Sequence, residues 1–187
     1  MGKNRRYRND EVPQVKDVLF RSRTILMFEP IDSDSANDII RQMIAMDQVS
    51  NCKKRGTINL MINSPGGDIS SMFAIIDAIK RIRCYVDTII IGQACSAATF
   101  IALEGRKRMM TANASWMGHE MHQSLEDYHS KLKCQYEFEK KTWSKCLEMY
   151  KDKTKLSKED FEVIAHGELW LTAEECKSKG IVDLILK

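Results

Sequence analysis

The sequence predicts an α/β domain with a largely parallel sheet, on the basis of two observations. Short apolar runs near 23–28, 57–62 and 85–91 have the length of buried strands. Between them, near 34–46 and 69–81, apolar residues recur at the three- and four-residue spacing of amphipathic helices. Alternating strands and helices of this kind are typical of layered α/β domains, in which helices cover a parallel sheet.

The composition of the 187-residue chain fits one globular domain. Its formal net charge is only +3, and Lys and Arg are interleaved with Asp and Glu, which does not indicate a nucleic-acid partner. The six cysteines form no Cys-x-x-Cys pair, a pattern typical of reduced thiols in the cytosol. The sequence has neither an apolar signal segment nor a membrane-length apolar run. We therefore expect a cytoplasmic domain without a nucleic-acid or membrane partner.

The first residues of the chain form a basic, polar stretch. Its cationic side chains are Lys3, Arg5, Arg6 and Arg8. Such a stretch carries too little apolar surface to hold one conformation by burial. We therefore expect a mobile N-terminal tail over residues 1–16, followed by a folded domain over residues 17–187.

The segment around Ser96 is the candidate catalytic element. Ser96 follows the predicted strand near 85–91 and precedes an apolar helical segment, with Ala94 and Ala98 two positions to either side. Small neighbours permit the sharp strand-to-helix turn that exposes a nucleophilic serine. An ordinary helix-capping serine would produce the same pattern. The segment by itself leaves both interpretations open.

A second segment, Asn63–Gly67, follows the predicted strand near 57–62. Paired glycines let the backbone approach a ligand closely, and N–H groups beyond the C-terminal end of a strand can bind a developing oxyanion. The dipeptide Pro65-Gly66 also fits a simple turn that opens the next helix. The occurrence of both segments in one chain favours the catalytic interpretation.

These two segments, in this order, resemble the proteolytic subunit of the Clp protease, a self-compartmentalised serine peptidase family. The resemblance runs from about Asp17 to the C-terminus. The matching segments are Arg23–Phe28, Asn63–Gly67, Gly92–Ser96, Trp170–Glu175 and Gly180–Asp183. Several short matches in family order are more specific than any one of them. The resemblance implies a ClpP/crotonase-type spiral of strand-strand-helix units with a protruding handle helix.

The resemblance also implies a histidine that serves as the base for Ser96. Counting without gaps places this base at His119, whereas a short insertion would place it at His122. We favour His119 and keep His122 as the alternative. His129 and His166 lie in charged, helical surroundings that are typical of surface residues.

The other implied members of the site are an acid and two N–H donors. Alignment on Trp170–Ala173 places the acid at Glu168, where the family usually has aspartate. Glutamate keeps the acceptor and the charge, and Ser-His-Glu triads occur in other hydrolases. Asp160 is a weaker alternative, because it does not fall at the matching position. The oxyanion would bind the backbone N–H groups of Gly67 and Ala97.

Neither a metal nor a cofactor is indicated. The sequence His119-Glu120-Met121-His122 has one residue between the glutamate and the second histidine, whereas the helical metalloprotease motif needs two. No other cysteine or histidine falls at ligand-like spacing nearby. We therefore expect catalysis by protein groups alone.

One long amphipathic helix is predicted from about Leu125 to Tyr150. The resemblance identifies it as the handle helix, which in the family interlocks two rings, although an ordinary core-packing helix would have the same periodicity. The family's glycine-rich strand before the handle is replaced here by Glu120–Asp127. The implied assembly is a homo-oligomer of heptameric rings, stacked as a tetradecamer, which receives unfolded polypeptides from an AAA+ unfoldase.

Three functions remain open on these observations. The first is a chambered serine endopeptidase, favoured because Ser96, His119, the paired glycines and a carboxylate occur in family order. The second is a catalytically silent ring subunit that acts as a scaffold, favoured by Glu168 and by the altered segment Glu120–Asp127. The third is an acyl-CoA enzyme of the related crotonase fold, which would use oxyanion N–H groups without a serine nucleophile.

Overall fold

The computed structural model describes residues 14–49, 56–121 and 129–187. The strands in these ranges are β1 (Thr24–Met27), β2 (Thr57–Ser64), β3 (Tyr85–Cys95), β4 (Arg108–Thr111), β5 (Ser115–His119), β6 (Glu168–Leu171) and β7 (Leu184–Leu186). The helices in these ranges are α1 (Val15–Arg21), α2 (Ser33–Gln48), α3 (Ile69–Arg81), α4 (Ala97–Ala102), α5 (His129–Lys153), α6 (Lys158–His166) and α7 (Ala173–Ser178). The predicted alternation of strands and helices is confirmed.

Most of the sheet is parallel. Strands β1, β2, β3, β4 and β7 lie side by side in that order, each parallel to its neighbour. Strand β5 joins the sheet beside the C-terminal end of β3, where Gln93–Cys95 pair in parallel with Ser115–Met117. Strand β6 then pairs antiparallel with β5. This mostly parallel sheet with its covering helices confirms the predicted α/β class.

The two central strands carry much of the core. In β2, the side chains of Ile58, Leu60 and Ile62 are fully buried and alternate with half-buried residues. In β3, residues 86–90 are all buried, as expected for a strand covered on both faces. Strand β3 continues to Cys95, beyond the end near residue 91 that the apolar run predicts, because its last residues pair with β5.

Helix α1 begins at Val15, so the predicted boundary between tail and domain, after residue 16, falls inside a helix. None of the α1 residues is buried. Residues 1–13 of the predicted tail lie outside the described residues. The exposure of α1 indicates that it contributes little to the core.

Helix α5 is the long helix that the sequence predicts. It spans 25 residues, His129–Lys153, and the predicted residues 125–128 lie outside the described part of the chain. Its C-terminal half packs on the core through Cys146 and Tyr150, which are buried. Its N-terminal half is largely exposed, including Phe138. Among the helices of the described ranges, none is both long and apolar enough to cross a membrane.

Asp47 joins the end of α2 to the segment that leads into β3. Its buried carboxylate accepts hydrogen bonds from the backbone N–H groups of Arg83 and Cys84, both at 2.9 Å, and from Arg83 Nε at 3.1 Å. Burial by itself would raise the pKa of Asp47, but the hydrogen bonds from Cys84 and Arg83, with the Arg83 charge, lower it below 3.8. The stabilising contribution of the carboxylate is therefore present above the unfolded-state pKa and is lost as pH falls through the lower, folded-state pKa.

We predict that Asp47→Ala lowers the free energy of unfolding by about 2–3 kcal/mol at neutral pH, because two backbone N–H groups lose their acceptor. The matched control is Asp38→Ala, which removes an exposed carboxylate from the same helix and should cost less than about 0.5 kcal/mol. Urea unfolding at about pH 7 and about pH 3 measures both variants, and the Asp47 effect should shrink at the lower pH. Equal losses for the two variants would contradict this role.

Candidate active site

Ser96 lies at the turn between β3 and α4. Its backbone φ is 52° and its ψ is −126°, a conformation that a residue other than glycine adopts only where the surrounding structure enforces it. The Ser96 N–H donates to the carbonyl oxygen of Met117 at 2.8 Å, which ties the turn to β5. The Ser96 side chain makes no capping hydrogen bond to α4. Its hydroxyl therefore does not act as a helix cap.

Gly66 packs against this turn with no room for a side chain. A Cβ atom at Gly66 would lie 2.7 Å from the Cβ of Ser96, and the Gly66 φ of 95° also disfavours other residues. Ile31 holds the next residues in place, since its N–H donates to Gly66 O at 2.8 Å and its carbonyl accepts from Asp68 N–H at 2.7 Å. The glycine loop after β2 is thus held directly beside the serine turn.

A small cavity of about 70 Å³ brings the predicted nucleophile and base together. Ser96 and His119 line it, as do Gly67 and Ala97. The other lining residues are Ile69, Phe100, Met121, Trp143 and Cys146. Among the described residues, no acceptor takes a hydrogen bond from the N–H of Gly67 or from that of Ala97, the first residue of α4. Both N–H groups are available to a substrate oxygen.

His119 and Glu168 face each other across two antiparallel strands. They are register partners at the end of β5 and the start of β6, which puts both side chains on one face of the sheet. The Glu168 carboxylate is exposed and accepts a hydrogen bond from Trp170 Nε1 at 2.8 Å. In the described ranges, no hydrogen bond joins Ser96 to His119 or His119 to Glu168. The acid candidate is adjacent to the base, but its carboxylate binds a different partner.

Cys95 precedes Ser96, and the charge of the Glu168 carboxylate acts on its thiol. Burial raises the pKa of the Cys95 thiol, and the negative charge of Glu168 raises it further. A thiol with a raised pKa is a poor nucleophile at neutral pH, because the thiolate is the reactive form. The environment at this turn therefore keeps the Cys95 thiol protonated and poorly reactive at neutral pH.

Of the other candidates from the sequence, His122 lies outside the described residues, as does the side chain of His129. Neither of the two described candidates, His166 and Asp160, lines the cavity. His166 is exposed at the end of α6, where its Nδ1 lies 3.0 Å from a backbone carbonyl of the same helix. Asp160 helps to cap α6 and forms an ion pair of 2.7 Å with Lys179. It therefore has a structural role, which explains why it is not part of the site.

Comparison with known proteins agrees with this geometry. Residues 7–187 match the family described as Clp protease. The chain belongs to the Clp protease family. Proteins named "ATP-dependent Clp protease proteolytic subunit", from three strains of Streptococcus thermophilus, are each 31% identical to it over 172 residues, which is 90% of this chain and 86% of each relative. The resemblance predicted from the glycine and serine segments is confirmed, and it makes the chain a member of a protease, and hence hydrolase, family.

Thr99, which the sequence analysis did not single out, supports the turn at Ser96 in this member of the Clp protease family. Its Oγ1 donates to the carbonyl oxygen of Ser96 at 2.5 Å and lies 2.6 Å from the hydroxyl of Tyr150 on α5. Because the single Thr99 proton goes to Ser96, the Tyr150 hydroxyl is the donor of the second bond. Both side chains are fully buried, and burial raises the pKa of Tyr150, which keeps its proton. This chain of hydrogen bonds connects the long helix to the strained turn.

The sequence contains only part of the signal for this connection. Thr99 lies three residues after Ser96, the spacing at which a helix side chain can reach back to the preceding turn. Tyr150 lies 51 residues further along the chain, and no local pattern pairs it with Thr99. The aromatic rings of Phe100 and Trp116 pack around Tyr150 at centroid distances of 4.3 Å and 5.7 Å, and they fix where its hydroxyl points.

We predict that Thr99→Val lowers the free energy of unfolding by about 1–3 kcal/mol, because the buried Tyr150 hydroxyl and the Ser96 carbonyl lose a partner at nearly constant side-chain volume. Thr99→Ser is the matched control, since it keeps the hydroxyl and removes only a methyl group. Denaturant unfolding of both variants measures the difference. A larger loss for Thr99→Ser than for Thr99→Val would show that packing, and not the hydrogen bonds, is what Thr99 contributes.

Proposed function

We propose that this chain is a serine-type peptidase subunit of a Clp protease, with Ser96 as nucleophile, His119 as base and Glu168 as the acid that orients the base. The observation that carries the proposal is the cavity shared by Ser96, His119 and the unpaired N–H groups of Gly67 and Ala97. Nucleophile, base and oxyanion donors are the groups that acyl transfer requires within reach of one carbonyl.

The reaction follows from these roles. Ser96 Oγ attacks the carbonyl carbon of a peptide bond while His119 takes the hydroxyl proton. The negative oxygen of the tetrahedral intermediate accepts hydrogen bonds from the N–H groups of Gly67 and Ala97. The C–N bond then breaks as His119 returns the proton to the leaving amine, which leaves an acyl ester on Ser96. Water, deprotonated by His119, hydrolyses this ester and restores the serine.

Glu168 takes part in this proposal through a side-chain rotation. Its carboxylate accepts from Trp170 Nε1 in the structure, yet its backbone is in register with His119. An exposed glutamate has free rotamers and one more methylene than aspartate, so its carboxylate can leave the indole for the imidazole. Once there it holds His119 in one tautomer and stabilises the imidazolium that forms during catalysis.

The proposal extends to the assembly and its supply of substrate. The relatives from Streptococcus thermophilus carry the words "ATP-dependent" in their names, so we infer that an AAA+ unfoldase delivers unfolded polypeptides to this subunit in the cytoplasm. Heptameric rings stacked as a tetradecamer would enclose the sites. The exposed aromatic residues on the N-terminal half of α5, Tyr136 and Phe138, at 51% and 71% exposure, suit a contact between rings.

A second candidate function is a catalytically silent ring subunit. One observation favours it, because the Glu168 carboxylate is bound to Trp170 and not to His119. In that case the subunit would contribute its surfaces to a ring while other subunits cleave peptides. The two candidates differ in whether the Ser96 hydroxyl is activated.

We predict that a serine-directed fluorophosphonate labels the wild-type protein once per chain and does not label Ser96→Ala, because only a serine with a base nearby reacts readily. Ser178→Ala is the matched control, since this hydroxyl lies on the exposed surface of α7 and should leave labelling unchanged. Intact-mass measurement gives the stoichiometry. A wild-type protein that assembles into rings without being labelled would favour the silent subunit.

We also predict opposite effects from two substitutions beside His119. Glu168→Gln should lower kcat for a short peptide on the order of 10³-fold or more, because the neutral amide no longer stabilises the imidazolium. Trp170→Phe should leave kcat the same or raise it, because it removes the indole N–H that competes for the carboxylate. Steady-state hydrolysis of one fluorogenic peptide measures both. Full activity of Glu168→Gln would remove Glu168 from the mechanism.

A further inference from the structure

The N–H of Ala97 belongs to the peptide unit that also contains the Ser96 carbonyl. A peptide unit is planar, and in its trans form the C=O and N–H bonds point in opposite directions. A contact that fixes the Ser96 oxygen therefore fixes the direction of the Ala97 N–H as well. This N–H is one of the two oxyanion donors proposed above, and Ala97 lines the cavity that also contains Ser96 and His119.

Thr99 holds the Ser96 carbonyl oxygen with two hydrogen bonds. Its backbone N–H donates at 3.0 Å and its Oγ1 at 2.5 Å. Any residue other than proline at position 99 can supply the first bond, whereas the second needs a hydroxyl group. Because Ser96 has the rare backbone conformation φ 52° and ψ −126°, its peptide unit does not keep this orientation by local preference. The Thr99 hydroxyl thus limits the rotation of the peptide unit that carries the Ala97 N–H.

Tyr150 on α5 fixes the side chain of Thr99 in turn. A threonine in a helix divides between two χ1 rotamers, and the Tyr150 hydroxyl, 2.6 Å from Thr99 Oγ1, favours the one seen here. Tyr150 is fully buried, and its ring stacks on Phe100 at a centroid distance of 4.3 Å. Its hydroxyl therefore has little freedom to move. Removal of the Thr99 hydroxyl interrupts this chain of hydrogen bonds at its middle, and removal of the Tyr150 hydroxyl interrupts it at its outer end.

We propose that Thr99 is a positioning residue for catalysis: through the Ser96 carbonyl it directs the Ala97 N–H toward the substrate oxygen that becomes negative, and Tyr150 keeps Thr99 in the required rotamer. The proposal rests on the peptidase function proposed above and adds two positioning residues to the same site. The substrate oxygen carries its negative charge in the tetrahedral intermediate and the transition states beside it, and not in the bound substrate. A misdirected N–H should therefore lower kcat more than it raises KM.

A fluorogenic peptide ester and its thionoester, in which sulfur replaces the carbonyl oxygen, test this role in the full-length protein. Sulfur is a weak hydrogen-bond acceptor, so the thionoester gains little from the oxyanion N–H groups. Loss of one whole oxyanion donor costs about 10²–10³-fold in kcat, so Thr99→Val should lower kcat for the oxygen ester by about tenfold or more. The ester-to-thionoester ratio of kcat/KM should fall by a similar factor.

Two further variants separate the hydroxyl groups from the packing of the side chains. Thr99→Ser keeps the hydroxyl and should keep both kcat and the ratio near their wild-type values. Tyr150→Phe leaves the Thr99 hydroxyl in place and removes only the group that fixes its rotamer, so it should lower both by a smaller factor than Thr99→Val. It also tests the same chain of hydrogen bonds with a smaller change in structure.

The matched control is Thr88→Val, which removes another buried hydroxyl, one that donates to the carbonyl oxygen of Ala102 at the far end of α4 at 2.7 Å. It should lower stability and keep the wild-type ratio. If fluorophosphonate labels wild-type Ser96 but the ratio is unchanged in Thr99→Val, or in Tyr150→Phe where Thr99→Val does not fold, the positioning role is overturned while the peptidase function stands. If wild-type Ser96 is not labelled and the ester is not hydrolysed, both are overturned.

Discussion

The backbone at Ser96 is the constraint on which the rest of the site depends. A φ of 52° at a serine costs on the order of 1–3 kcal/mol, and such a conformation persists only when neighbouring groups enforce it. Three contacts do so here: the hydrogen bond to Met117, the close approach of Gly66 and the Thr99 bond to the Ser96 carbonyl. Each comes from a different part of the fold, so the turn forms only when the sheet, the glycine loop and the helices are in place.

The parallel sheet explains why these parts meet. The carboxyl ends of neighbouring parallel strands lie at the same edge of a sheet, and loops that leave that edge can converge on one point. Strand β2 leads into the loop with Gly67, β3 is followed by Ser96 and β5 ends at His119. The antiparallel β6 begins with Glu168, beside His119. A site assembled in this way needs only short loops, because the strands hold the site residues in position.

The parts of the molecule that follow from local patterns could be predicted from the sequence. The periods of apolar residues predicted the strands and helices around Ser96, and the serine segment together with the glycine segment favoured the turn. The remaining features depend on contacts between distant segments, which leave no local signal. The extension of β3 to Cys95 depends on its pairing with β5, and the Thr99 bond depends on the position of Tyr150 in α5.

Two donors compete for the Glu168 carboxylate, the indole N–H of Trp170 and the imidazole N–H of His119. The hydrogen bond from the Trp170 indole N–H to this carboxylate is exposed, so water competes with it and Trp170 holds the carboxylate only weakly. A neutral His119 offers a donor of similar strength, and in the proposed mechanism the imidazolium that forms as Ser96 is deprotonated offers a stronger one. The preference of Glu168 for His119 therefore grows as the reaction proceeds. A hydrogen bond that strengthens toward the transition state lowers the activation barrier without binding the ground state more tightly. A carboxylate bound to Trp170 at rest is thus compatible with a triad that is complete in the transition state.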